Sequence, residues 1–76
     1  MTDIRIALDQ WDGDYQGNLM TWIFEDGASV SEGDVVAEIM IEKTQVDMIA
    51  PRSGVLFHAA VENDLVRKGD LIGRIE

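Results

Sequence analysis

Hydrophobic positions alternate with a period of two in two short runs of the chain, residues 37–41 and 46–50. A period of two is typical of a strand with one buried face. Two such runs joined by a few polar residues predict a β-hairpin. Lys43 lies in the polar connection and therefore at the tip of the hairpin. The side chains expected to face inward are Ala37, Ile39, Ile41, Val46, Met48 and Ala50.

Short apolar segments separated by turns rich in glycine and aspartate continue along the rest of the chain. Strands are predicted over residues 4–8, 19–24, 35–41, 45–49, 55–58 and 71–75, with shorter extended segments beginning at Val30 and at 65–66. Residues 9–17 form a loop, with turn chemistry at 12–14. No stretch has a sustained helical period. Short, closely spaced strands predict an all-β sandwich or barrel.

The chain also contains an internal repeat. Residues 30–39 align with residues 66–75 at an offset of 36, and each copy contains Val-x-x-Gly-Asp followed by aliphatic residues. The same offset brings residues 27–30 onto 63–66 and residues 19–20 onto 55–56. Each copy is too short to bury its own apolar face. We therefore expect the two copies to pack on each other with pseudo-twofold symmetry.

The repeated Gly-Asp pair predicts two equivalent turns. Gly33 and Gly69 occupy the same position in the two copies, which indicates a backbone conformation that glycine adopts without steric cost. The following residues, Asp34 and Asp70, are expected to close these turns through side-chain hydrogen bonds.

Length, composition and charge limit the function further. The 76 residues predict one domain, residues 1–76, and the absence of cysteine excludes disulfides and thiolate metal sites. A formal net charge of −9 argues against binding to nucleic acid or to an anionic membrane surface. The chain has no apolar run long enough to cross a membrane and no signal-peptide pattern at its start. A cytoplasmic protein is expected.

Residues 19–75 resemble the biotinyl/lipoyl carrier domains. The resemblance rests on the two Val-x-x-Gly-Asp turns and on the central run, in which the acid Glu42 precedes Lys43, a small residue and an alternating strand follow, and Ala50, Pro51 and Gly54 come next. The resemblance implies a flattened β-barrel of two small antiparallel sheets. It also implies that Lys43, on a hairpin at one end, is the covalently modified residue.

The residues beside the lysine separate the two cofactors of this family. Biotin carriers are similar to a Met-Lys-Met pattern, whereas lipoyl domains resemble Asp-Lys-Ala. Glu42-Lys43-Thr44 has no methionine on either side, which favours lipoic acid over biotin on Lys43. The acid that the family often has three residues before the lysine is replaced here by Met40.

The resemblance implies a carrier without an active site of its own, acting in trans or as part of a dihydrolipoamide acyltransferase. Its lipoyl arm on Lys43 would be reductively acylated and would shuttle acyl groups between the active sites of a 2-oxo acid dehydrogenase complex. The implied partners are a lipoate ligase or lipoyl transferase, and the dehydrogenase, acyltransferase and dihydrolipoamide dehydrogenase components. The implied compartment is the cytoplasm, or the mitochondrial matrix in a eukaryote. Two alternatives remain: a biotin carrier in carboxyl transfer, and an unmodified adaptor or assembly module of the same fold.

Other candidate residues are expected to have structural roles. His58 is the only histidine and lies on a predicted strand, and no neighbouring pattern predicts a catalytic or metal-binding role. Lys68 is expected to be an ordinary surface charge on a turn. Trp11 is expected to cover one end of the barrel, although Trp11 and Tyr15 lie in a loop that contributes to partner recognition in lipoyl domains.

Overall fold

Eight short antiparallel strands make up the regular structure of the chain in a computed structural model that describes residues 2–8, 10–11, 13 and 15–76. Every regular element among these residues is a strand. Over the same residues, no helix is long and apolar enough to cross a membrane. The strands are β1 (Thr2–Arg5), β2 (Gly17–Trp22), β3 (Ser29–Val30), β4 (Val35–Ile41), β5 (Thr44–Ile49), β6 (Gly54–His58), β7 (Leu65–Val66) and β8 (Leu71–Ile75).

The strands form two four-stranded sheets, which confirms the predicted all-β barrel-like sandwich. The terminal sheet has the order β1-β8-β6-β3, and the lysine sheet, which contains the Lys43 hairpin, has the order β5-β4-β2-β7. Alternate residues of both sheets form one hydrophobic core, because a period of two places them on the same face. The core residues with no exposed surface include Leu19, Val36, Ile39, Leu56, Ile72 and Ile75.

The internal repeat appears as pseudo-twofold symmetry. Exchanging β5 for β1, β4 for β8, β2 for β6 and β7 for β3 converts the order of one sheet into that of the other. The turn hydrogen bonds repeat as well: the Gly33 N–H donates to the Ala50 carbonyl at 3.0 Å, and the Gly69 N–H donates to the Ile6 carbonyl at 2.6 Å. The predicted packing of two copies is therefore confirmed.

The predicted alignment of residues 19–20 with 55–56 is wrong by one position. The Leu19 N–H donates to the Asp64 carbonyl at 2.9 Å, and the Leu56 N–H donates to the Ala28 carbonyl at 2.8 Å, so Leu19 corresponds to Leu56. The cause is an extra residue, Met20. It forms a β-bulge in the β2–β4 ladder, between the pairs that Leu19 and Thr21 make with β4. The β6–β8 ladder has no such shift.

The two Gly-Asp turns have the predicted chemistry. Gly33 and Gly69 have φ angles of +92° and +93°, a left-handed conformation that side chains with a Cβ rarely adopt. The Asp34 carboxylate accepts a hydrogen bond from the Ser31 N–H at 2.9 Å, and the Asp70 carboxylate accepts one from the Arg67 N–H at 2.8 Å. Both turns are thus fixed by the residue pair that the repeat conserves between its copies.

Two predicted strands have boundaries that differ from those in the structure by two residues or more. The strand predicted over residues 4–8 ends at Arg5, because Ile6 bonds through its backbone to the β7–β8 turn, and Leu8 is 77% exposed. The strand predicted over residues 19–24 begins earlier, at Gly17, and ends at Trp22. Gly17 belongs to this strand because it pairs with Val66 of β7, and a Cβ at this position would collide with the side chains of Ile39 and Ile41.

Trp22 and His58 join the two copies of the repeat near the pseudo-twofold axis. They occupy equivalent positions, and their rings stack with centroids 3.9 Å apart and an interplanar angle of 9°. Trp22 Nε1 donates to the Ala60 carbonyl at 3.0 Å, and His58 Nε2 lies 2.9 Å from the equivalent Phe24 carbonyl. His58 therefore has a packing role, as predicted.

Candidate functional site

The Lys43 hairpin is a tight turn on a firmly anchored pair of strands. Ile41 pairs with Thr44, which leaves Glu42 and Lys43 as the two residues of the loop. Glu42 adopts a φ of +54°, as the first residue of a two-residue hairpin loop must in the favoured turn types. Beneath the loop, the predicted inward positions on β4 and β5 are buried, except that Val46 is half-buried. The packed core therefore holds the loop outward.

Lys43 presents its amine to solvent. Its side chain is exposed, as are those of Glu42 and Thr44 on either side. Within the part of the chain that the structure describes, Lys43 Nζ forms no hydrogen bond or salt bridge. An exposed amine on a fixed turn can be reached from several directions, which is the geometry that an enzyme needs in order to acylate it.

Lys68, the other lysine, has a different environment. Its Nζ donates a hydrogen bond to the Trp11 carbonyl at 3.1 Å, and its side chain is half-buried. The prediction of an ordinary surface charge is therefore wrong: Lys68 attaches the β7–β8 turn to the loop that precedes β2. The spacing of the repeat gives no signal for this contact, because the equivalent connection in the second copy, between β5 and β6, has four residues, whereas the connection between β1 and β2 has eleven.

The loop that precedes β2 lies beside the hairpin. Trp11 packs partly against the core, in agreement with its predicted covering role, and its Nε1 donates to the Tyr15 carbonyl at 3.0 Å. Both aromatic residues line a shallow cavity of about 280 Å³ together with Ile41, Glu42, Thr44 and Val46. Of the turn predicted at residues 12–14, Asp12 and Asp14 lie outside the described residues.

Acidic side chains lie on the outer face of the hairpin. Glu38 of β4 is directly opposite Asp47 of β5. The Gln45 side-chain amide lies between them, with its Nε2 2.7 Å from a Glu38 oxygen and 3.2 Å from an Asp47 oxygen. The sequence analysis did not identify this cluster, although the period of two already places the three residues on one face.

Two further polar residues in the described part of the chain have structural contacts. His58 is occupied by its contacts to Trp22 and Phe24, and Ser53 Oγ accepts a hydrogen bond from the Glu32 N–H at 2.9 Å. Among the described residues, no group of three or more His, Cys, Asp or Glu side chains is arranged to hold a metal ion. Lys43 is therefore the strongest candidate for a functional residue, because its amine is exposed and available for reaction.

Comparison with known proteins shows similarity to biotin/lipoyl domains. A family model for biotin/lipoyl domains, described as biotin-requiring enzyme, matches residues 13–75. The solution structure of the lipoyl domain of the 2-oxoglutarate dehydrogenase complex from Azotobacter vinelandii superposes with a TM-score of 0.76 and 25% sequence identity. That alignment covers 100% of this chain and 96% of the other.

Two curated relatives are considerably longer proteins. The dihydrolipoyllysine-residue acetyltransferase component of the pyruvate dehydrogenase complex from Staphylococcus aureus is 32% identical over 66 residues. Its Staphylococcus epidermidis counterpart is 30% identical over 66 residues. Each alignment covers 86% of this chain but 15% of the relative. The similarity therefore concerns one domain of these acetyltransferases.

Proposed function

The chain belongs to the biotin/lipoyl family, whose members carry covalently attached lipoate or biotin, and we propose that it is a lipoyl carrier domain with Lys43 as its attachment site. The observation that carries this proposal is the exposed amine of Lys43 on the two-residue hairpin loop. The domain presents a cofactor and has no catalytic role of its own.

The residues around Lys43 fit a lipoyl group joined to its amine. Attachment through an amide requires a reachable nitrogen, and the Lys43 side chain is exposed with exposed neighbours. When bound, the group supplies a dithiolane for redox-linked acyl transfer. The contribution of the protein is mechanical: β4 and β5 hold the attachment point at a fixed place on the surface.

The identity of the neighbouring residues supports lipoate over biotin. Glu42 and Thr44 flank the lysine, and neither is the methionine of the biotin pattern. The superposed Azotobacter vinelandii structure is a lipoyl domain. The two acetyltransferase relatives are named for a dihydrolipoyllysine residue. A biotin carrier remains the second candidate because the family model covers both cofactors.

The names of the relatives suggest the wider setting of this function. We infer that the chain carries acyl groups within a 2-oxo acid dehydrogenase complex, because its relatives belong to pyruvate and 2-oxoglutarate dehydrogenase complexes. A lipoate ligase or lipoyl transferase would load Lys43. The dehydrogenase, acyltransferase and dihydrolipoamide dehydrogenase components would then act on the loaded arm, in the cytoplasm or the mitochondrial matrix.

Intact-mass measurement tests the attachment. The unmodified chain is incubated with lipoate ligase, lipoate and ATP, and separately with biotin ligase, biotin and ATP. We expect a single lipoyl increment and no biotin increment. Lys43→Arg should abolish the increment, whereas Lys68→Arg, the matched control at the other lysine, should retain it. A biotin increment would support the second candidate, and no increment from either enzyme would favour the unmodified adaptor.

A further inference from the structure

The pseudo-twofold symmetry provides an internal reference for the surface of the lysine sheet. Equivalent positions in the two sheets share the same backbone, so a difference in their side chains is not required by the fold. Asp47 in the lysine sheet corresponds to Asp3 in the terminal sheet, and Glu38 corresponds to Arg74, as the two ladder registers show. The two outer faces can therefore be compared position by position.

The outer face of the terminal sheet neutralises its own charges. Asp3 lies directly opposite Arg74, a pair of opposite charges. Asp3 also forms a salt bridge with Arg5 at 3.4 Å, and Arg74 forms one with Glu76 at 2.7 Å. The Arg74 guanidinium lies 5.1 Å from the centre of the Phe57 ring and covers this aromatic side chain. The charged side chains of this face are therefore paired with one another and not available to a partner.

On the outer face of the lysine sheet, the equivalent positions carry negative charges that are not balanced. Glu38 and Asp47 are directly opposed like charges, which destabilise a sheet. Neither carboxylate forms a salt bridge within the described residues. The Gln45 amide that lies between them is neutral and supplies no positive charge. Charge is therefore balanced in the Asp3–Arg74 pair of the terminal sheet, but it is not balanced in the equivalent Glu38–Asp47 pair of the lysine sheet.

Apolar side chains lie beside these carboxylates. Leu65 is 66% exposed and Met20 is 39% exposed. Met40 is half-buried and pairs with Asn18, which in turn pairs with Leu65. Met20 is the bulge residue, which the second copy of the repeat lacks. The one departure from symmetry in these ladders therefore adds a methionine to this face.

We propose that the outer face of the lysine sheet, formed by Met20, Glu38, Met40, Asp47 and Leu65, is the docking surface for the enzyme that transfers the lipoyl group to Lys43. Charge complementarity defines the partner surface: an apolar centre with Lys or Arg side chains that reach Glu38 and Asp47. The face is continuous with the reaction site, because the Glu38–Asp47 pair is about 10 Å along the strands from the pair that closes the Lys43 loop. This inference rests on the proposed function.

Two double variants test the proposal with equal changes in net charge. Glu38→Gln/Asp47→Asn removes two carboxylates from the proposed surface, and Asp3→Asn/Glu76→Gln removes two from the terminal sheet. Initial rates of lipoyl attachment by lipoate ligase are measured at low and raised salt. We expect the first pair to lower kcat/KM about tenfold at low salt, mainly through KM, with a smaller effect at raised salt. The second pair should change it less than about twofold.

The folding of the variants separates docking from stability. Removing the opposed like charges should leave the melting temperature of Glu38→Gln/Asp47→Asn unchanged or higher. Equal effects of the two pairs, or no effect of either, would overturn the proposal. Unchanged lipoyl attachment combined with slower acyl loading by a 2-oxo acid dehydrogenase would overturn the choice of partner. Failure of the wild-type chain to accept a lipoyl group would refute the proposed function itself.

Discussion

Substitution of Gly33 isolates the energetic contribution of the repeated turn. Gly33 has a φ of +92°, and a Cβ built at this position would have no other atom within 4 Å. The Cβ of a valine there therefore meets no steric obstacle from the described residues, so we expect its cost to come mainly from the backbone conformation. A residue with a Cβ held in such a region costs about 1–3 kcal/mol.

The expected change is large for a domain of this size. For 60–100 residues, 1 kcal/mol corresponds to about 4–8 °C in melting temperature. Gly33→Val should therefore lower the melting temperature by about 4–24 °C. Gly69→Val should have a similar effect, because Gly69 has a φ of +93° and, among the described residues, its Cβ would meet Leu8 alone, at an ordinary contact distance of 3.5 Å.

Thermal unfolding followed by circular dichroism would measure these changes. Glu32→Val is the control, because it adds the same side chain to the adjacent exposed position, where the φ angle is not positive. Gly33→Asn should lie between the wild type and Gly33→Val, since asparagine tolerates left-handed conformations better. The reasoning is refuted if Gly33→Val melts at the wild-type temperature or if Glu32→Val loses as much stability.

Three further variants test other parts of the account. Trp22→Phe removes the hydrogen bond to the Ala60 carbonyl. Urea unfolding should show that the free energy of unfolding falls by about 0.5–1.5 kcal/mol. An unchanged unfolding midpoint would show that this hydrogen bond does not stabilise the domain. Gly54→Ala would place a Cβ 2.6 Å from the Glu76 backbone oxygen, so we expect a loss of about 1–3 kcal/mol in the same assay, and wild-type stability would contradict this close approach. Lys43→Arg should change stability by less than about 0.5 kcal/mol while abolishing lipoyl attachment, and unfolding of this variant would argue against an exposed hairpin tip.

The hairpin could be predicted from the sequence because apolar residues recur regularly at every second position on both of its strands. The buried positions of β4 and β5 alternate strictly near the loop, so the position of Lys43 at the tip follows from the pattern alone. The Gly-Asp turns were predictable for a similar reason: each requires a specific residue at a specific place, and the chain contains each requirement twice.

Features that depend on a single residue or on long-range contacts were not predictable. Residues 19–24 are apolar almost throughout, so the bulge at Met20 does not interrupt any alternation that could reveal it. Trp22 and His58 occupy equivalent positions but have different side chains, which conceals their relationship in the sequence. The contact of Lys68 with the Trp11 carbonyl joins elements 57 residues apart, and no local pattern records it.

The surface of the lysine sheet could be predicted from the sequence only in part. Alternation places Glu38 and Asp47 on the outer face, but only the register shows that they are opposite each other. The comparison with Asp3 and Arg74 requires the symmetry of the two sheets as well. Fold and candidate site can therefore be read from the sequence, whereas the surface that distinguishes one copy of the repeat from the other requires the structure.

Acyl loading of the lipoylated chain tests the central claim most directly. The chain, first lipoylated by lipoate ligase, is mixed with a 2-oxo acid dehydrogenase and its 2-oxo acid, and the intact mass is recorded over time. The account predicts a further mass increase of one acyl group, mapped to the peptide that contains Lys43 and absent from the unlipoylated chain and from Lys43→Arg. A lipoylated chain that gains no acyl group from pyruvate or 2-oxoglutarate dehydrogenases, while a known lipoyl domain in the same mixture is loaded, would contradict it.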